Sequence, residues 1–134
     1  PASAREMRAE DQRLRLRDGR WLGYAEHGAP EGRPVLFFHG LGTTRVICPP
    51  DEAAREQGVR LIALDRPGFG LSDPHPWAGP RRKAAVEWLD LVFEALGLDQ
   101  VDMLGSSAGG TSSAASILAG HAERQIHAIR QVKR

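Results

Sequence analysis

Residues Gly105-Ser106-Ser107-Ala108-Gly109 set a serine between two glycines at two-residue spacing. This pattern suits a strand that turns sharply into a helix with a hydroxyl at the bend. Small residues two positions to either side keep neighbouring backbone clear of such a turn, which thrusts the serine Oγ above the sheet edge. A helix beginning just behind it directs its free N–H groups and positive dipole end at developing negative charge. Ser107 is therefore the candidate nucleophile. A glycine-rich turn without a nucleophile would also fit these five residues, so their flanks matter. Val101-Asp102-Met103-Leu104 reads as a short strand running into the motif, and the small residues 111–119, closed by Gly120, read as the helix behind it.

Two further segments place glycine and polar residues directly after apolar runs. His39-Gly40-Leu41-Gly42 follows the apolar residues 35–38, and Asp65-Arg66-Pro67-Gly68-Phe69-Gly70-Leu71-Ser72-Asp73 follows residues 59–64, apolar but for Arg60. With the serine motif, these segments resemble the α/β-hydrolase family, and residues 13–124 follow that family's N-terminal order without a gap. The resemblance implies that the backbone N–H groups of Leu41 and Ala108 form an oxyanion hole. It makes His39, Gly40, Gly105, Gly109, Asp65, Gly68 and Gly70 motif residues that shape the loops. For His39 this means an imidazole that hydrogen-bonds the backbone and fixes its turn. Asp65 precedes the serine, whereas the family's order is serine, acid, histidine, so it is not expected to be the catalytic acid.

The elements needed to hold these loops are legible along the chain. Residues 13–17 alternate polar and apolar, Asp18-Gly19 suits a tight turn, and residues 21–25 would return as the second strand of an antiparallel hairpin. Residues 35–38 and 59–64, of which only Arg60 is charged, suit strands buried on both faces. Between them, Pro49-Pro50 precedes a short helix ending at Gly58, with Asp51 and Glu52 in its favourable first turn. Ala85, Trp88, Leu89, Val92 and Leu96 recur at helical spacing between about residues 80 and 96, and Gly97 closes that helix. One more strand is expected after Gln125. Strand and helix alternate, so the fold class is α/β, with a mostly parallel sheet, flanking helices and the N-terminal antiparallel hairpin. Residues 1–12 read as a polar lead-in and residues 13–134 as the N-terminal part of one α/β-hydrolase domain.

Composition narrows the remaining possibilities. The 134 residues carry 18 Lys plus Arg against 17 Asp plus Glu, a net charge of +1, with no electrostatic case for nucleic acid or an anionic membrane. No apolar run approaches the ~20 residues of a membrane span, and the first residues lack an apolar leader, which points to the cytoplasm. Cys48 stands alone and the histidines are scattered, so neither a disulfide, a metal site nor a cofactor is expected. A nucleotide-binding βαβ protein is not expected, because the glycine pattern at 105–110 is not G-x-G-x-x-G and no P-loop lysine follows.

A serine needs a base to take its proton and a carboxylate to orient that base. Only 27 residues follow Ser107 (134 − 107), with His121, His127 and Glu123 as their titratable candidates. His121 falls where the helix should end, away from the strand tops. The chain is therefore expected to lack a complete triad and to be truncated. The strand before the serine would then have only a stub beside it, an edge open to self-association. The leading expectation is a serine hydrolase acting on a small acyl substrate, such as a carboxylic ester. The alternative is a non-catalytic module that keeps the scaffold without the base.

Overall fold

Alternating side chains build the first hairpin. The computed structural model describes residues 11–40, 42–74, 81–99, 101–106 and 129–132. Strand β1 (Gln12–Arg15) pairs antiparallel with β2 (Trp21–Gly28), in a register that sets Arg15 opposite Trp21. β1 stops two residues short of the expected position. Its turn begins at Leu16, whose carbonyl accepts the Gly19 N–H at 2.9 Å while its own N–H donates to Arg20. Asp18 accepts the Arg20 backbone N–H at 3.0 Å, and Gly19 takes the positive φ of +94° that a side chain disfavours. β2 runs three residues past its expected end. Its second half pairs antiparallel with a later strand, β4 (Val59–Leu64), from Tyr24 opposite Leu64 to Gly28 opposite Arg60.

Strand β3 (Arg33–Phe38) lies parallel to β4, and β5 (Asp102–Ser106) lies parallel to β3 on its other side. A short strand β6 (Ile129–Val132) continues parallel beside β5. The six-stranded sheet has the order β1-β2-β4-β3-β5-β6. Residues 35–38 of β3 and 61–64 of β4 are apolar throughout because both faces are covered there. Leu36 and Phe38 of β3 and Ile62 and Leu64 of β4 point to one face. Val35 and Phe37, with Leu61 and Ala63, point to the other.

Among the described residues, one helix covers each face. Helix α1 (Asp51–Glu56) sets Ala54 against Val35, Phe37 and Leu61. Asp51 anchors its start by accepting the Gly28 N–H at 2.7 Å, which ties the helix to the end of β2. Helix α2 (Arg81–Leu96) covers the opposite face through Trp88, Leu89, Val92 and Phe93. Phe93 belongs to the buried stripe although the sequence reading passed over it, whereas Ala85 and Leu96 are only half-buried. Gly97 turns the chain at φ +67°, and Leu98 and Val101 return it to the core before β5. The expected helix over residues 111–119 and the first ten residues of the expected 1–12 lead-in lie outside the described residues, while Gln12 opens β1. No helix among the described residues is long and apolar enough to cross a membrane.

Phe93 is fully buried against the strands, so Phe93→Ala is expected to lower unfolding stability by ~3–5 kcal/mol. Glu87, exposed on the other side of α2, is expected to change it by less than ~0.5 kcal/mol when replaced by Ala. Urea unfolding followed by circular dichroism compares the two.

Candidate active site

The register of the parallel strands decides which loops meet. Phe38 is level with Leu64 on one side and Gly105 on the other. His39-Gly40 and Asp65-Arg66 therefore leave the sheet along the edge where β5 ends at Ser106, from adjacent strands about 4.8 Å apart. Ligands of open α/β sheets bind outside the carboxyl ends of their strands, and this is that edge. Gly105 sits within β5, whereas Ser107, Ala108, Gly109 and Leu41 lie outside the described residues. Of the sequence-predicted residues, the structure brings His39, Gly40, Asp65, Gly68, Gly70 and Gly105 to this edge or to the loops rising from it.

His39 is fully buried and bridges two loops. Its Nε2 accepts the Arg66 backbone N–H at 3.0 Å, which requires that nitrogen to be unprotonated. The proton then sits on Nδ1, which donates to the Gly40 carbonyl at 2.8 Å. Thr43 donates its hydroxyl to the same carbonyl at 2.8 Å, and the Phe69 ring meets the imidazole edge-on at 5.1 Å. Burial chiefly, with the nearby Arg66 guanidinium, holds the His39 pKa below the ordinary histidine value, while the Gly40 hydrogen bond and Asp65 pull the other way. Both ring nitrogens are spent on backbone groups, so the side chain acts as a neutral clamp between the His-Gly loop and the loop after β4.

Asp65 organises the second loop around a fully buried carboxylate. The carboxylate accepts the Arg45 backbone N–H, the Arg45 guanidinium and the Leu71 backbone N–H, each at 2.8 Å. Arg45, itself buried, reaches on to Asp11 just before β1. The loop approaches β2 so closely that a Cβ on Gly23 would lie 2.6 Å from the Asp65 carboxylate and from Leu71. Gly23 instead donates its N–H to Ser72 Oγ at 2.8 Å, and that hydroxyl donates to the Asp65 carbonyl. Asp73 accepts the Trp21 N–H at 2.8 Å and returns its own N–H to the Trp21 carbonyl. Gly70, at φ +52°, has no room for a side chain against the Asp65 carboxylate. Ser72 and Asp73 thus fasten the loop to β2 as well as shaping its turn.

Sequence reasoning assigned no role to Arg45 or Arg66. Arg45 pairs with a residue 20 positions away, which spacing along the chain does not reveal. Arg66 lies beside the motif's glycines, and its guanidinium stands 5.0 Å over the Phe69 ring.

Two outcomes test this loop architecture. Asp65→Ala leaves the buried Arg45 with only the exposed Asp11 carboxylate and is expected to lower stability by ~3–5 kcal/mol, read by urea unfolding. The folded-state pKa of His39 lies below its unfolded value, so on acidification the unfolded chain takes up the proton first. The His39 contribution is therefore complete above the unfolded value of about 6.5 and is lost as the pH falls through and below it. Stability should drop more between pH 7.5 and 5.5 in the parent than in His39→Gln, measured by denaturation at both pH values.

Comparisons with known proteins agree with this geometry. The family model described as alpha/beta hydrolase fold matches residues 33–123. The chain is 39% identical over 92 residues to a 2-hydroxy-6-oxononadienedioate/2-hydroxy-6-oxononatrienedioate hydrolase of Klebsiella pneumoniae, covering 63% of this chain and 31% of that protein. It is 34% identical over 112 residues to Lipase 1 of Psychrobacter immobilis, covering 79% of this chain and 33% of the lipase. The crystal structure of the naproxen esterase of Bacillus subtilis superposes with a TM-score of 0.75 at 25% identity, over 88% of this chain and 41% of that one. The chain thus spans about a third of the length of the curated relatives described here. These relatives are hydrolases, and the matched residues include the His-Gly loop, the loop after β4 and the strand before Ser107. The chain belongs to the α/β hydrolase fold family.

Proposed function

We propose that this chain forms the nucleophile half of a serine hydrolase that cleaves a carboxylic ester or similar acyl bond through an acyl-enzyme on Ser107. The observation that carries the reading is the shared edge of β3 and β5. β5 ends at Ser106, one residue before Ser107, with Gly105 level with Phe38 and hence beside the start of the His-Gly loop. In this reading the Ser107 Oγ attacks the acyl carbon, and the oxyanion takes hydrogen bonds from the Leu41 and Ala108 backbone N–H groups. Such fixed donors are worth roughly 10²–10³ in rate apiece. The acyl group stays on Ser107 while the leaving alcohol departs, and water then releases the acid.

The His39 geometry supports the division of labour. Its ring nitrogens are committed to Arg66 and Gly40, so it is not free to take the Ser107 proton. The reading assigns that task to a histidine, oriented by a carboxylate, outside these 134 residues. The activity belongs on this reading to a protein of about the relatives' length acting on a small molecule, without a cofactor. The sheet edge beyond β6 is where the 134-residue chain would pair with itself.

A fluorophosphonate probe reports serine activation directly. Strong labelling is expected in a protein that continues this sequence through the missing base, and none in its Ser107→Ala variant. The 134-residue chain is expected to label little. Labelling that survives Ser107→Ala would reject Ser107 as the nucleophile. A folded, longer protein that does not label would favour the non-catalytic module.

A further inference from the structure

The carbonyl of Gly40 takes more donors than it needs. His39 Nδ1–H reaches it at 2.8 Å, the Thr43 hydroxyl at 2.8 Å and the Thr43 backbone N–H at 3.3 Å. A carbonyl oxygen offers two lone pairs, which the imidazole and the backbone N–H would fill by themselves. The hydroxyl of the half-buried Thr43 is thus surplus to satisfying that oxygen. What a third donor adds is orientation. Thr43 Oγ1 also lies 3.4 Å from His39 Nδ1, so hydroxyl, imidazole and carbonyl form one closed group.

The backbone around Gly40 shows what is being oriented. The Thr43 N–H bond to the Gly40 carbonyl closes a four-residue turn over residues 40–43. Gly42, third in that turn, takes the φ of +77° that a type II turn requires there. Two residues on, the Arg45 N–H is held by the buried Asp65 carboxylate at 2.8 Å. The turn is therefore anchored on both sides, by His39 before it and by Arg45 after it. A peptide unit is planar and trans, so a carbonyl and the N–H of the following residue point in opposite directions. Holding a carbonyl inside a turn is thus a way of aiming the next N–H out of it.

We infer that Thr43 is a positioning residue for the oxyanion hole: its hydroxyl fixes the plane of the peptide joining Gly40 to Leu41, and so aims the Leu41 N–H at the charge that develops on the acyl oxygen. This deepens the Ser107 reading and rests on it. Thr43 itself touches neither substrate nor reacting atoms. An oxyanion donor contributes only if it is already aimed when the charge appears. Loosening the peptide plane therefore weakens binding of the transition state and leaves binding of the substrate nearly unchanged. Valine at this position keeps the branched shape and loses the hydroxyl, whereas serine keeps the hydroxyl and loses the methyl group.

The test is steady-state hydrolysis of p-nitrophenyl acetate by a protein that continues this sequence through its general base. Thr43→Val is expected to lower kcat about tenfold, with KM within about twofold of the parent. Thr43→Ser is expected to recover most of that loss, which a role confined to packing of the threonine methyl would not allow. Should Thr43→Val fail to fold by circular dichroism, Thr43→Ala carries the comparison. Ser107→Ala reads the underlying assignment separately: a Ser107→Ala protein that still hydrolyses the ester rejects the serine reading and the inference with it. With Ser107→Ala inactive, an unchanged kcat in Thr43→Val, a loss confined to KM, or a loss that Thr43→Ser shares would overturn the positioning role alone.

Discussion

The buried carboxylate of Asp65 is the constraint on which the rest of the upper edge depends. A carboxylate with no exposure is tolerable only if its oxygens are taken up, and here three donors from residues 45 and 71 do so. That requirement pulls the loop after β3 and the loop after β4 against one another. It also explains the absent side chains at positions 23 and 70, since either would occupy the space of the carboxylate. Arg45 extends the network to Asp11, so the lead into β1, two loops and β2 share one electrostatic centre.

His39 is the neutral counterpart of that centre. It joins the same two loops from the other side, and the bond it accepts from the Arg66 N–H holds only while Nε2 is unprotonated. Together the two residues convert a parallel sheet register into a rigid rim. Neither is free for chemistry, and that separates positioning from reaction along this edge. The rim is held by side chains before Ser107, while activation of a serine needs groups of a different kind.

Much of the fold was legible because burial on both faces writes unbroken apolar runs. Residues 35–38 and, after Arg60, residues 61–64 therefore stood out as strand cores, and Asp18-Gly19 marked the first turn. Strand partners were not legible. Period-two alternation announces a strand but not its neighbour, so the pairing of β2 with β4 and the extension of β2 to Gly28 emerge only in three dimensions. The motif glycines and His39 announced a loop architecture through their types. Arg45 did not, because its meaning lies in a partner 20 positions on.

The covalent role assigned to Ser107 is the centre of the functional account, and trapping the intermediate tests it most directly. The protein that contains this sequence and its general base would be incubated briefly with p-nitrophenyl acetate, acid-quenched and mapped by peptide mass spectrometry. The account predicts a single acetyl group on the peptide spanning residues 105–109, located on Ser107. An acetyl group on another residue, or hydrolysis with Ser107 unmodified and dispensable, would contradict it.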